Sequence, residues 1–462
     1  MTSLGRTLRL VRQSWRIEGI AVSSTAVWLA IIFALGLTLR LVWVVYTTTV
    51  PLGGDPHWYY IVAINVAKGY GFVSNSSPSL LGESIGPGEP TAFWPPAYPI
   101  VLAGFWKLFG ISLMSAKVLN AVLGALAIPF VYLLGRQIFD RRVGVVAAGL
   151  FAVYPNVIAW TPLLFSEQLF ILLFVAALWL LAVVPSTSRH RWALVGFGFL
   201  TGVAILTRGQ AAVLIPVAVV FWLMRSGWQP TVRWTALSLL VAAIVITPWT
   251  VRNWVELDAF VPVSTNTGAA LRVGHNTDST GTTKWTNEQI DGFAMWQSPY
   301  RPDWEVQGYR EYTRRAIDYA FTNPGHELEL TGLKIYHLYR ADSDVIPWLT
   351  TLGTTPLKPR GMEEALERLI DYTYYPLLFA AAASVSLWLR RDAYRALLVS
   401  VAFFWTLFHI VFLGEPRYHL PLIPVFCIAV VGGASVARGR LDALRERWWP
   451  RSAVSADQRP AY

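Results

Sequence analysis

Apolar runs of membrane length, separated by short basic segments, fill most of the chain between Ala21 and Val436. The first extends from about Ala21 to Tyr46, long enough to cross the hydrocarbon core as a helix. It is too long for the core of a signal peptide and has no obvious small-residue cleavage site, so it is expected to be a retained span. Arg6, Arg9, Arg12 and Arg16 precede it, which predicts a cytoplasmic N-terminus. Further runs fall near Ser112 to Phe139, Val143 to Trp160, Pro162 to Val184, Trp192 to Leu206, Ala211 to Met224 and Trp234 to Thr250. Tyr374 to Leu389, Leu397 to Leu413 and His419 to Val436 complete an expected bundle of about ten transmembrane helices. The apolar stretch Pro96 to Gly110 is short, and counting it as a span would put Arg141 and Arg142 outside, so a helix lying along the outer face is expected there.

The polar stretches divide the chain further. Residues 1–250 form an N-terminal transmembrane module whose first external loop spans 47–111, rich in Gly, Pro and Ser as far as Pro96, with Trp58 to Val66 able to form a short amphipathic helix. Residues 251–373 form a second external region with no membrane-length run. Within it Glu305 to Thr322 and Pro324 to Arg340 have helical periodicity, with Asn323 read as the N-cap ahead of Pro324. Residues 374–437 supply the last spans, and 438–462 form a basic cytoplasmic tail.

Composition supports an all-α polytopic membrane protein: 54% of the 462 residues are hydrophobic and only 14% charged. The net charge of +10 gathers between apolar runs, as the positive-inside bias requires, and does not point to nucleic acid. A single cysteine, Cys427, excludes a disulfide framework and a Cys-based metal site. No convincing internal repeat is present, which weighs against a secondary transporter. GxxxxGK[ST], HExxH and GxSxG motifs are all absent, which argues against an ATPase, a zinc protease and a typical serine hydrolase. Gly69-Tyr70-Gly71 is too short for a phosphate loop and reads as a tight turn.

Charge parity along the chain puts Asp55, Glu167, Arg208, Arg252 and Arg417 at or near the outer ends of their helices. A lone arginine there anchors a helix end to headgroups; several ionisable groups on one face suggest a site for a polar or anionic ligand. A carboxylate beside guanidinium groups suits transfer from a lipid phosphate, because the carboxylate accepts a proton from an attacking hydroxyl while arginines stabilise the leaving phosphate. Trp58, Tyr59, Tyr60, Phe93, Trp94 and Tyr98 crowd the first loop, and such rings suit both sugar faces and the membrane interface.

Several segments together resemble the membrane-embedded glycosyltransferases of the GT-C superfamily, nearest to bacterial relatives of protein O-mannosyltransferases and of the lipid A aminoarabinose transferase. They are Gly53-Gly54-Asp55, Lys68 to Phe72, Thr91 to Pro99, Ser166-Glu167, Arg208-Gly209-Gln210, Pro248 to Asn253, Gly268 to Gly281 and Arg417-Tyr418-His419-Leu420-Pro421. The resemblance implies a GT-C bundle with juxtamembrane helices in the first external loop, in the inner membrane of a bacterium, with its site on the outer face. It implies an inverting enzyme that moves a sugar from a polyprenyl-phosphate carrier to a lipid, glycan or protein acceptor. Asp55 then matches the general base, Arg252 and Arg417 hold the carrier phosphate, and Glu167, Arg208, His57, Tyr98 and Tyr418 support the substrate. Phe93 and Trp94 stand where aminoarabinose transferases carry an acid and a base before the Pro-Pro pair, so that basic contact to the donor phosphate is missing or replaced; Asp55 is followed by Pro56 and His57 and starts no Asp-x-Asp, so no metal or other cofactor is expected. Two other readings remain open: an O-antigen ligase or polymerase using His337, Arg340, Arg417 and His419, and a flippase for lipid-linked sugars.

Overall fold

The computed structural model describes residues 16–17, 20–21, 24–47, 55–74, 86–186, 190–284, 301–350, 361–388 and 392–448. Gly53 and Gly54, before Asp55, lie outside the described residues. The helices are α1 (Ser24–Tyr46), α2 (Asp55–Lys68), α3 (Ala97–Phe109), α4 (Leu113–Ile138), α5 (Arg141–Ala152), α6 (Pro155–Ala159), α7 (Glu167–Val183) and α8 (His190–Thr207). The chain continues through α9 (Leu214–Ser226), α10 (Trp228–Leu257), α11 (Asn266–Gly274), α12 (Pro302–Thr322), α13 (Pro324–Tyr339), α14 (Val345–Thr350), α15 (Met362–Trp388), α16 (Ala393–Val411) and α17 (Ile423–Trp448). Short 3-10 turns at Gly209–Val213 and Pro416–Leu422 lead into α9 and α17. Strand structure among the described residues is confined to two-residue pairs, Arg16–Ile17 with Ile20–Ala21 and Val73–Ser74 with Glu89–Pro90.

Among the described residues, seven helical segments are long and apolar enough to cross a membrane. Three expected spans take another form. The stretch near Val143 to Trp160 breaks into α5 and α6, because Pro155 disfavours helical backbone at Tyr154. The stretch near Trp192 to Leu206 is the apolar but shorter α8. The stretch from Tyr374 is the second half of α15, whose first half carries Glu363, Glu364, Glu367 and Asp371.

α4 and α7 form the buried middle of the bundle, packed on each other, with α1 and α5 also against α4 and α8 also against α7; α1 and α10 turn most of their residues outward. Close approach depends on glycine at two contacts. Gly135 of α4 meets the backbone of Gly144 on α5, and Gly198 and Gly202, four apart on α8, seat Ser238 and Val245 of α10. Added Cβ atoms there would collide with backbone or branched side chains, the same reason small-xxx-small pairs serve helix contacts in membranes.

The first loop forms two packed helices, α2 and α3, of which α3 leans on α4 and α8. α2 starts at Asp55, earlier than the expected helix from Trp58, so the carboxylate sits on a helical first turn. Gly69 and Gly71 adopt positive φ, 86° and 93°, and form the turn that ends α2. α10 carries the chain through Leu257, so Arg252 lies on a helix that runs past the expected boundary at residue 251. Pro324 opens α13 with Asn323 at its N-cap position, as expected, but the Asn323 side chain makes no capping bond; its amide donates back to the Tyr319 carbonyl of α12.

Candidate active site

Asp55, Arg208, Arg417 and Tyr418, drawn from three separate stretches of sequence, line one cavity of about 330 Å³. Tyr59, Trp94 and Phe165 provide aromatic walls, and Ile205, Phe408, Phe412 and Leu413 make one side apolar. Ser264, Asn266 and Thr267 add neutral polar groups.

Arg417 projects from the 3-10 turn Pro416–Leu422. Its Nη1 lies 3.4 Å from Asp55 Oδ2, its Nε donates to Glu415 Oε2 at 3.0 Å, and its Nη2 reaches the Tyr418 hydroxyl at 3.5 Å. Phe165, Trp348 and Tyr418 surround the guanidinium at 5.2–5.5 Å from their ring centres. Burial pushes the Asp55 carboxyl above the ordinary carboxylate range, against the pull of Arg417 and with a further push from Glu415 and Glu167. Asp344, close by, is pushed up to about 7, chiefly by burial.

Arg208 directly follows α8, at the start of the 3-10 turn Gly209–Val213, and forms an ion pair with Glu167, which opens α7 and is buried. Its Nε donates to Gln210 Oε1 at 3.1 Å; Gln210 Nε2 donates in turn to His409 Nε2 at 3.2 Å, and His409 Nδ1 donates to the Trp405 carbonyl at 2.8 Å. This directed chain fixes the plane of the guanidinium. Tyr418 lies 5.5 Å beneath it and so stands between the two arginines.

Arg252 does not line the cavity. Its Nη1 donates to the Thr91 carbonyl at 2.8 Å and its Nη2 to the Phe72 carbonyl at 2.7 Å, with Trp249 stacked 5.0 Å away. The guanidinium that the sequence offered as a phosphate ligand therefore clasps the backbone of the first loop. Buried Glu305 of α12 completes the clasp, accepting from Thr91 Oγ1, the Ala92 amide and Thr265 Oγ1 at 2.7–2.9 Å. The Thr265 and Asn266 amides bond the Ala92 and Phe93 carbonyls, which sets Trp94 and Pro95 over the cavity.

His57 and Tyr98 also stand outside the lining. His57 lies on the first turn of α2, where burial lowers its basicity. Tyr98 is buried under Tyr59 and donates to Asn120, whose amide donates to the Leu163 carbonyl. Of the late-loop set, only Arg417 reaches the cavity. Arg340 is exposed, and His419 is fully buried between the Leu338 carbonyl and Asp342, which also accepts from Tyr154 and Asn156. Gln210, His409 and Glu415 escaped the sequence reading as individual site residues, although Gln210 and Glu415 each lie two residues from an arginine that did not.

Residues 94–251 match the family model described as dolichyl-phosphate-mannose-protein mannosyltransferase. The undecaprenyl phosphate-alpha-4-amino-4-deoxy-L-arabinose arabinosyl transferase of Pseudomonas paraeruginosa is 29% identical over 163 residues, covering 32% of this chain and 29% of that protein. A Pseudomonas fluorescens enzyme of the same name is 27% identical over 163 residues, covering 32% of this chain and 28% of its own length. The chain thus matches less than a third of the length of these curated relatives. Among solved structures, the Archaeoglobus fulgidus oligosaccharyltransferase in its apo form superposes with a TM-score of 0.55 at 17% identity, over 95% of this chain and 53% of that one. The chain thus shares its helical fold with the oligosaccharyltransferase over nearly its whole length, and is similar in sequence to the mannosyltransferase family model over residues 94–251 and to the aminoarabinose transferases over about a third of its length.

Proposed function

We propose that the protein is an inverting glycosyltransferase that takes a sugar from a polyprenyl-phosphate carrier at the outer face of the bacterial inner membrane. The observation that carries this reading is the pairing of Asp55 with Arg417 in a cavity that also holds Arg208 and an apolar wall. The matched relatives are named for an undecaprenyl-phosphate sugar, which supports the donor class. The acceptor is a lipid, glycan or protein hydroxyl.

The acceptor oxygen attacks the anomeric carbon and forms the new glycosidic bond, while Asp55 takes its proton. The bond from the anomeric carbon to the phosphate oxygen breaks, and the electron pair leaves with polyprenyl phosphate. Arg417 and Arg208 take the role first given to Arg417 and Arg252, holding the phosphate as charge builds on it. Glu167, Gln210 and Tyr418 orient these guanidiniums, and the aromatic walls face the sugar. The apolar side formed by Ile205, Phe408, Phe412 and Leu413 suits the first isoprene units of the carrier.

Mass spectrometry of co-purified lipid, and of envelope glycans after gene deletion, identifies donor and product together. Asp55→Asn is then expected to retain expression while losing transfer by at least 100-fold, within the usual contribution of a general base. Near-normal transfer by purified Asp55→Asn would remove the base assignment. Movement of intact lipid-linked sugar across liposomes without transfer would favour the flippase reading instead.

A further inference from the structure

The cavity brings more carboxylates than guanidiniums to one place. Arg208 is paired with Glu167, while Arg417 is shared by Glu415 and Asp55. Two cations against three acids leave no net positive charge for an incoming phosphate when all three acids are ionised. A phosphate that entered with every pair intact would meet like charge in a site walled by aromatic and apolar groups, where screening by water is weak.

The three pairs are not equivalent. Glu415 is two residues from Arg417 on the same turn, bonds its Nε at 3.0 Å and does not line the cavity. Asp55 comes from a different helix, reaches Nη1 at the longer distance of 3.4 Å and faces the cavity. Its side chain keeps 26% of its exposure, against 14% for Glu415. Nη1 and Nη2, held by Asp55 and weakly by the Tyr418 hydroxyl, form the edge of the guanidinium that grips a phosphate through two parallel hydrogen bonds. The ligand's place on Arg417 is therefore occupied by the acid itself.

We propose that Arg417 is an exchange point: the donor's phosphate displaces Asp55 from Nη1, while Glu415 keeps the guanidinium in position through Nε. The proposal rests on the glycosyltransferase reading and adds an order of events to it. With the cavity empty, Arg417 engages the carboxylate and makes it a poorer base. When the phosphate takes over that edge, Asp55 is released beside the new anion and becomes a better proton acceptor at the moment an acceptor hydroxyl can use it. Glu415 is thus a positioning residue, acting through Arg417.

The test measures the affinity of the purified full-length protein for undecaprenyl phosphate in detergent, alongside transfer activity. Asp55→Asn is expected to tighten binding about tenfold, because the phosphate no longer competes with a carboxylate, a change of about 1.4 kcal/mol. Glu415→Gln is expected to leave binding equal or weaker, because Arg417 then closes fully on Asp55. With Arg417→Ala as background, Asp55→Asn is expected to change affinity by less than twofold. Unchanged or weaker binding by Asp55→Asn overturns the exchange, as does equal tightening by Glu415→Gln, which simple removal of negative charge would produce. Circular dichroism and thermal unfolding of each variant confirm that it is folded. Loss of transfer by Asp55→Asn without a gain in affinity ends the exchange and leaves the base assignment intact, whereas normal transfer ends the base assignment itself.

Discussion

Replacing Arg252 separates a structural clasp from a phosphate ligand. The side chain makes two charge-assisted hydrogen bonds, to the Thr91 and Phe72 carbonyls at 2.8 and 2.7 Å. At the lower end of the range for bonds to charged groups, about 1.5 kcal/mol each, Arg252→Ala releases about 3 kcal/mol of restraint on the first loop. That corresponds to a rise on the order of 100-fold in the open fraction of this region. Hydrogen exchange read by mass spectrometry on peptides covering 69–74 and 86–96 is expected to accelerate by that order, with α4 and α7 unaffected. Arg252→Lys keeps the charge but a single ammonium does not span both carbonyls as the planar fork does, so it is expected to recover less than half of the protection. Undecaprenyl phosphate affinity is expected to fall by no more than a few-fold in either variant. A tenfold loss of affinity in Arg252→Ala, with exchange unchanged and recovery by Arg252→Lys, would refute this reasoning and return Arg252 to the phosphate.

Three further outcomes follow from the same geometry. Because burial raises the Asp55 carboxyl, the acid limb of kcat/KM is expected above the usual carboxylate range near 4: activity is present where Asp55 is ionised and lost as pH falls through its raised value, and a limb at or below pH 4 would contradict it. Glu305→Gln keeps size but cannot accept from all three of its donors, so we expect about 2–4 kcal/mol of lost stability as a lower Tm, with reduced kcat; an unchanged Tm would show that the clasp is carried elsewhere. His419→Ala leaves Asp342 buried with one partner fewer and is expected to cost about 3–5 kcal/mol in Tm or expression; a variant that folds normally and loses transfer alone would revive the late-loop reading.

The sequence reached most of the framework because the membrane imposes it. Apolar runs of spanning length identified α1, α4, α7 and α10, and the short run from Pro96 gave α3. The same hydropathy could not register the break at Tyr154, since a proline interrupts helical backbone without interrupting apolarity. Nor could it separate Arg252 from Arg417. Each was an arginine at an expected helix end within two residues of an aromatic residue, and only the chain around each shows one facing carbonyls and the other a cavity. His409 looked like a histidine within an apolar run, and its place beside Gln210 depends on α16 meeting the turn after α8.

By itself the sequence determined an all-α membrane chain with acid and arginine gathered toward one end of its helices, because hydropathy and charge are local properties that the bilayer reads residue by residue. Which of those charges meet was decided by the tertiary structure. Asp55 and Arg417 are 362 residues apart and come within 3.4 Å only because α2 and the turn before α17 close on the same cavity. Arg252 is turned away from it because two loop carbonyls and a buried glutamate hold the first loop across α10. A guanidinium satisfies whichever oxygen the packing offers first, carbonyl, carboxylate or phosphate, and the sequence does not carry that choice.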